Sequence, residues 1–292
     1  MRESFSTVLD LLTRTDFQAG VIAGAAGLVV LLAARNDERP SKWWGEMIVV
    51  ATVAAGWLTQ GRRLGLLLGV LTLWIGGRLV DRKDRESLKI AGSVLIVAGA
   101  CLIAWRGGFE ISWLPLLTAV AILASGLAFS RWSDRLPQNV LGTMVAITAF
   151  GVWVTVPETE QARILLGAAL PLAVATLPPV NARLSHGGAF ALAGVIAWIV
   201  AIGGEARPAS IIGGWACLGA IAFLPLARPD ASRVIKDRPI LVIGLHAVFV
   251  LIASRVIGLW ESATMALIAV LFVAVGALLA IGAVTGRPET SE

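Results

Sequence analysis

Tyrosine is missing from the 292 residues, histidine and cysteine occur twice each, and charged side chains make up only 15%. Each shortage removes a class of function. With only His186 and His246, and no carboxylate beside either in sequence, a zinc or di-iron site has too few ligands, and the expected depths of the two differ too much for them to share a haem. Cys101 and Cys217 both fall inside apolar runs, which suits small packing residues better than a disulfide framework. Lysine is confined to positions 42, 83, 89 and 236, and none closes a glycine-rich phosphate loop, so ATP hydrolysis is not expected. The G-x-S-x-G elbow of serine hydrolases is absent too, and Ser185-His186-Gly187-Gly188 has only a superficial likeness to an oxyanion-hole loop. Asp81 and Asp84 have the spacing of a magnesium-binding D-x-x-D pair, but Arg82, Lys83 and Arg85 surround them and oppose a cation. No catalytic residue, metal or cofactor is therefore assigned, and the chain is not expected to be an enzyme.

What is abundant is apolar: hydrophobic residues are 57% of the chain and its mean hydropathy is +0.83. A soluble domain carries roughly 25% charged residues to stay solvated, so hydrocarbon rather than water is the expected main solvent. A spanning helix needs about 20 apolar residues, because the bilayer core is about 30 Å thick and a helix rises about 1.5 Å per residue. Apolar runs between polar punctuation fall at Phe17–Ala34, Trp44–Thr59, Leu64–Val80, Leu88–Trp105, Phe109–Phe129, Pro137–Pro157, Arg163–Pro178, His186–Gly203, Pro208–Ala227, Pro239–Leu259 and Ser262–Thr285. The expected fold is all-α: a polytopic helical bundle of about eleven transmembrane helices. A short polar tail (1–16), one transmembrane domain (17–285) and a short cytoplasmic tail (286–292) complete the organisation. Residues 1–16 have no signal-peptide pattern, so the first apolar run is expected to remain as a helix.

A formal charge of +5 is scattered singly or in small groups between the runs, not gathered on a face with stacking aromatics, so nucleic acid is not an expected partner. The basic residues report topology instead. With the N-terminus outside and the C-terminus cytoplasmic, about 16 of the 24 fall in cytoplasmic gaps. Most of the 11 tryptophans lie near run ends, at headgroup level; Trp74, Trp198 and Trp215 sit deeper and need an N–H partner inside the bundle.

Helix packing in lipid relies on small residues, and Gly20/Gly24 and Gly61/Gly65/Gly69 each stack on one face at four-residue spacing. Pro171 and Pro115 each delete a helix hydrogen bond. Arg78, Arg163 and Arg255 lie near helix ends, where long stems reach the headgroups. Ionisable groups at depth are costly and mark function, and three candidates for substrate or proton binding stand out: Glu46 in the first turn of the second span, Glu110 at the outer end of the fifth, and His246, about 10 Å into the tenth.

These features favour a carrier of a small solute or lipid. The alternative is a non-catalytic membrane subunit or scaffold of an envelope-building or secretion assembly, with a membrane-embedded enzyme on lipid-linked substrates further behind. The expected partners are the lipid bilayer, a small solute or lipid, and other membrane proteins or further copies of the chain. The Arg-, Ala-, Gly- and Val-rich composition fits a bacterial plasma membrane.

Overall fold

In hydrocarbon a backbone must satisfy its own N–H and C=O groups, and a lone segment does so only as a helix. The computed structural model describes residues 10–33, 43–60, 64–82, 86–106, 113–135, 137–177, 182–203, 207–227, 239–257 and 268, and the fold it gives is all-α. Its helices are α1 (Thr15–Ala33), α2 (Trp44–Gln60), α3 (Leu64–Val80), α4 (Glu86–Arg106), α5 (Leu114–Arg135), α6 (Gln138–Thr155), α7 (Glu160–Val174), α8 (His186–Gly203), α9 (Pro208–Ala227) and α10 (Pro239–Ile252), the last running into a π-helical turn at Ala253–Ile257. The expected eleventh span lies outside the described residues.

The whole of α1 and of α8 and most of α4 and α5 are long and apolar enough to cross a membrane, and α2, α3, α6, α9 and α10 carry shorter apolar stretches. This is a membrane protein. Its outer faces agree: Ile90, Val94 and Val97 make an exposed apolar stripe on α4, and Ile22 and Val29 do the same on α1. In water such faces would forgo roughly 1.5–3 kcal/mol per large side chain, a cost that lipid removes.

α8 is the central element, buried continuously from Gly187 to Ala201 and packed against α2, α3, α5 and α9. Around it, two glycine seams join four of the other helices in pairs. α3 and α4 form an antiparallel hairpin in which Gly76 and Gly92 face each other, and Gly69 meets Gly99 and Ile103; a Cβ on Gly92 would come within 2.6 Å of the Gly76 carbonyl oxygen. α1 and α7 run parallel, although five helices separate them in sequence. There a Cβ on Gly20 would sit 2.3 Å from the Ile164 oxygen and one on Gly24 2.6 Å from the Ala168 oxygen, while Gly167 opposes Phe17 and Val21. The expected faces at Gly20/Gly24 and at Gly69 are thus tightly packed ones; Gly61 lies outside the described residues.

Three expectations change. Trp44 does not float at headgroup level: it is fully buried, and its Nε1 donates to the Leu172 carbonyl at 2.6 Å. That carbonyl lies at the end of α7, where the helix stops at Val174 rather than Pro178, three residues after Pro171. α5 continues past Phe129 to Arg135, and Ser133 in that extra turn donates to the Leu184 carbonyl.

Gly20→Leu and Gly24→Leu drive a side chain into α7 backbone that has no room to move, and each is expected to destabilise the protein by about 1–3 kcal/mol in detergent unfolding. Gly56 has open space around its missing Cβ, so Gly56→Ala is expected to be neutral or up to about 1 kcal/mol stabilising in the same assay.

Candidate functional site

The polar centre of the molecule is built on the short segment before α8. Its backbone is pinned from three sides: Ala182 N–H donates to the Ala175 oxygen at 2.9 Å, the Arg183 oxygen accepts from Trp44 N–H at 3.3 Å, and the Leu184 oxygen accepts from Ser133. Ser185 is thereby held as the N-cap of α8, its Oγ accepting from Gly188 N–H at 2.9 Å.

Glycines let three backbones converge at this point. A Cβ on Gly77 would lie 2.6 Å from the Gly187 Cα, and one on Gly45 would strike Leu184. The start of α2, the end of α3 and the start of α8 are therefore in near backbone contact, and the polar side chains they carry are forced together.

Glu46, 5% exposed, is the hub. Its Oε1 accepts the Ser185 hydroxyl and the Trp74 Nε1–H at 3.4 Å, and Arg78 Nη2 lies 3.0 Å away. This is a relay: Gly188 N–H to Ser185, Ser185 to Glu46, with the positive end of α8 aimed at a carboxylate. The Arg78 guanidinium stacks on Trp43, 4.4 Å from the ring centroid, and lies 5.9 Å from that of Trp74. Beside the cluster, Asp81 just after α3 pairs with His186 Nδ1 at the first residue of α8.

The hydrogen bonding is lopsided. Oε1 receives everything, while Glu46 Oε2 is buried with no partner, facing Gly188. Arg78 Nη2 is near enough to Oε1 for ionic attraction but not aligned for a hydrogen bond, and Arg78 Nε is likewise buried and unbonded. Nε and Nη2 form one edge of the guanidinium, the edge that grips an oxyanion in bidentate fashion.

Sequence reasoning singled out Glu46 but sent Arg78 to the headgroups; the structure turns it inward. It sent Arg163 there too, yet Arg163 is largely buried, its Nε 2.5 Å from Asp16 Oδ2 and its Nη1 2.6 Å from the Pro157 oxygen. Asp16 also accepts from Phe17 N–H at 2.9 Å. With its partners supplied by the first turns of α1 and α7 and by Pro157 just ahead of α7, this pair is a structural clamp at the far end of the α1–α7 seam.

His246 stands apart from both groups. It is 1% exposed, and its Nε2 lies 3.1 Å from both Thr148 Oγ1 and the Met144 oxygen on α6. Its Nδ1 has no partner, nor does Trp215 Nε1. Glu110 lies outside the described residues. Among the described residues no group of His, Cys, Asp and Glu could hold a metal ion. The residues missed in sequence were Arg78 and Ser185. The available signal was the placing of glycine pairs beside polar residues, Gly76-Gly77 before Arg78 and Gly187-Gly188 after Ser185-His186.

The sequence matches no protein-family model and no curated protein.

Ser185→Ala removes both the cap and the donor to Glu46, and is expected to cost about 1–2 kcal/mol in thermal unfolding, with Ser185→Thr retaining most of it. For the second pair, Asp16→Ala or Arg163→Ala alone is expected to cost about 3 kcal/mol by stranding a buried charge. A double-mutant cycle should then return a coupling of at least about 1 kcal/mol; additive losses would mean that the two side chains do not interact.

Proposed function

We propose that the chain is a carrier of a small solute or lipid in the plasma membrane, with the Glu46–Arg78–Ser185 cluster as its polar site at the cytoplasmic end. One observation supports this above the others: a buried carboxylate and the buried Nε–Nη2 edge of a partly exposed guanidinium lie between three helices with hydrogen-bonding capacity unfilled on both. A protein that only needs its helices to adhere gains nothing from such groups, because apolar residues of the same volume pack as well or better. A binding protein needs them, since unfilled capacity is what a ligand fills.

The proposed topology is a single transmembrane domain over 17–285, with the N-terminus outside and the C-terminus cytoplasmic. Helix direction supports the alternation this requires. α3 and α4 are antiparallel and α1 and α7 parallel, and the starts of α2 and α8 meet the end of α3 at one end of the bundle. That is the end expected to be cytoplasmic from the distribution of basic residues. Interlocked glycine seams favour a second reading, the non-catalytic subunit or scaffold, because they describe a bundle built to stay closed.

Side-specific labelling separates the two. Single cysteines are placed at positions 46, 110 and 246 in a background lacking Cys101 and Cys217, and a membrane-impermeant thiol reagent is applied from each face. A carrier should expose position 46 to both faces in turn and position 246 to at least one, with position 110 reacting from outside. If position 46 reacts only from the cytoplasm and position 246 stays silent, the carrier reading fails.

A further inference from the structure

We infer that the Arg78 edge is an oxyanion site whose occupancy is coupled to protonation of Glu46, so that the ligand is a carboxylate or phosphodiester taken up together with one proton. The inference rests on the reading of this cluster as the ligand site and adds the chemistry of what binds there.

Arg78 Nε and Nη2 present two parallel donors, buried and unbonded, and the nearest acceptor, Glu46 Oε1, is at ion-pair distance but out of line. Oε1 is held off that line by Ser185 and Trp74, which both donate to it. Glu46 therefore neutralises Arg78 without occupying its fork. An oxyanion placed on the fork would complete it, with the stacked Trp43 ring, 46% exposed, leading from the bundle end to the guanidinium.

Charge then dictates the coupling. Empty, the cluster holds one carboxylate and one guanidinium and is neutral. An anion alone would leave it at minus one beside a second carboxylate, and a proton alone would leave it at plus one. Only the state with both is neutral again: Glu46 takes up one proton from the buffered solvent, which cancels its charge, and Arg78 is left to balance the bound anion. In a low-dielectric bundle the two singly loaded states carry the uncompensated charge, so each ligand promotes the other and the coupling is reciprocal.

The other charged groups facing Glu46 leave this balance intact. From α3 it faces Arg78; Asp81, just beyond that helix, is turned instead to His186 Nδ1 at the start of α8; Arg183, exposed ahead of α8, lends its backbone oxygen to Trp44. Of the charged residues of α1 and α7, Asp16 and Arg163 form their own pair at the opposite end of the α1–α7 seam, and Glu160 opens α7 at that same end.

The test is calorimetric titration of the purified full chain in a neutral detergent with acetate and with diethyl phosphate, neither of which titrates near neutral pH. Each is run in two buffers of different ionisation enthalpy, so that the proton uptake per bound anion is read directly. A third ligand, a short-chain phosphatidylglycerol, carries the same phosphodiester on a lipid. The expected result is uptake of about one proton per anion, reduced to none in Glu46→Gln, which keeps binding with an affinity that no longer varies with pH. Arg78→Gln should lose binding, and Arg78→Lys, which keeps the charge but not the fork, should weaken it at least about tenfold.

Binding of the lipid but not of acetate or diethyl phosphate, with the same proton uptake, assigns the oxyanion to a lipid headgroup. Absence of binding by all three, or proton uptake unchanged in Glu46→Gln, overturns the inference. Intrinsic tryptophan fluorescence and thermal unfolding establish that each variant is folded, and Glu46→Asp, expected to retain proton uptake, covers the case in which Glu46→Gln is not. Labelling of position 46 from one face alone, with coupled binding intact, would remove the carrier reading and leave a coupled anion-binding site standing.

Discussion

Helix-to-helix contact without a side chain between is the constraint on which this molecule depends. Lipid tails are as apolar as leucine, so helices in a bilayer gain little by hiding apolar surface from their surroundings; they gain by approaching closely. Here glycines bring α1 against α7, α3 against α4, and the starts of α2 and α8 against the end of α3, at separations that a single methyl group would prevent. The first two contacts set the bundle. The third creates its polar centre, because Glu46 and Arg78 each adjoin one of the glycines that meet there and Ser185 lies two residues from another.

Close approach has an electrostatic consequence. At the three-helix junction the N-terminus of α8 would otherwise bury unsatisfied N–H groups, and Ser185 meets one of them while passing the demand on to Glu46. Once Glu46 is fixed as an acceptor, a buried negative charge must be balanced, and Arg78 supplies the balance from the last turn of α3. The indole rings of Trp43 and Trp74, 6.4 Å apart, then cover the guanidinium. Each residue answers a cost created by the previous one, and the chain of compensation ends with one oxygen and two guanidinium nitrogens still unbonded.

How much of this was legible in the sequence follows from the range of the signals involved. Helix positions were readable because hydropathy is a local property: Leu64–Val80, His186–Gly203 and Pro208–Ala227 have the same bounds in the fold as in the sequence reading, and the other described helices differ from it by up to seven residues at an end. The pairing of α1 with α7 was not readable. Gly20 and Gly24 mark a sticky face, but Gly167, nearly 150 residues on, lies in an unremarkable run. Arg78 and Arg163 were misassigned for the same reason. A long cationic side chain near a helix end reaches water by default, and only the fold shows that a buried carboxylate, Glu46 or Asp16, stands closer.

The two ion pairs also show why burial of charge alone does not identify a site. Asp16 and Arg163 are largely buried too, but no buried atom of theirs lacks a partner: Asp16 serves Phe17 with one oxygen and Arg163 with the other, and Arg163 reaches on to Pro157. Such a pair holds a fixed geometry and has nothing further to offer a ligand. The Glu46–Arg78 pair has the same charges in the opposite condition, with Oε1 over-supplied and the facing guanidinium edge unfilled. His246 falls between the two, with one ring nitrogen shared between Thr148 and Met144 and the other bare, and with no countercharge of its own among the described partners. Unfilled bonding capacity beside a compensating charge, rather than burial or charge by itself, is what distinguishes a place where binding changes energy from one where it cannot.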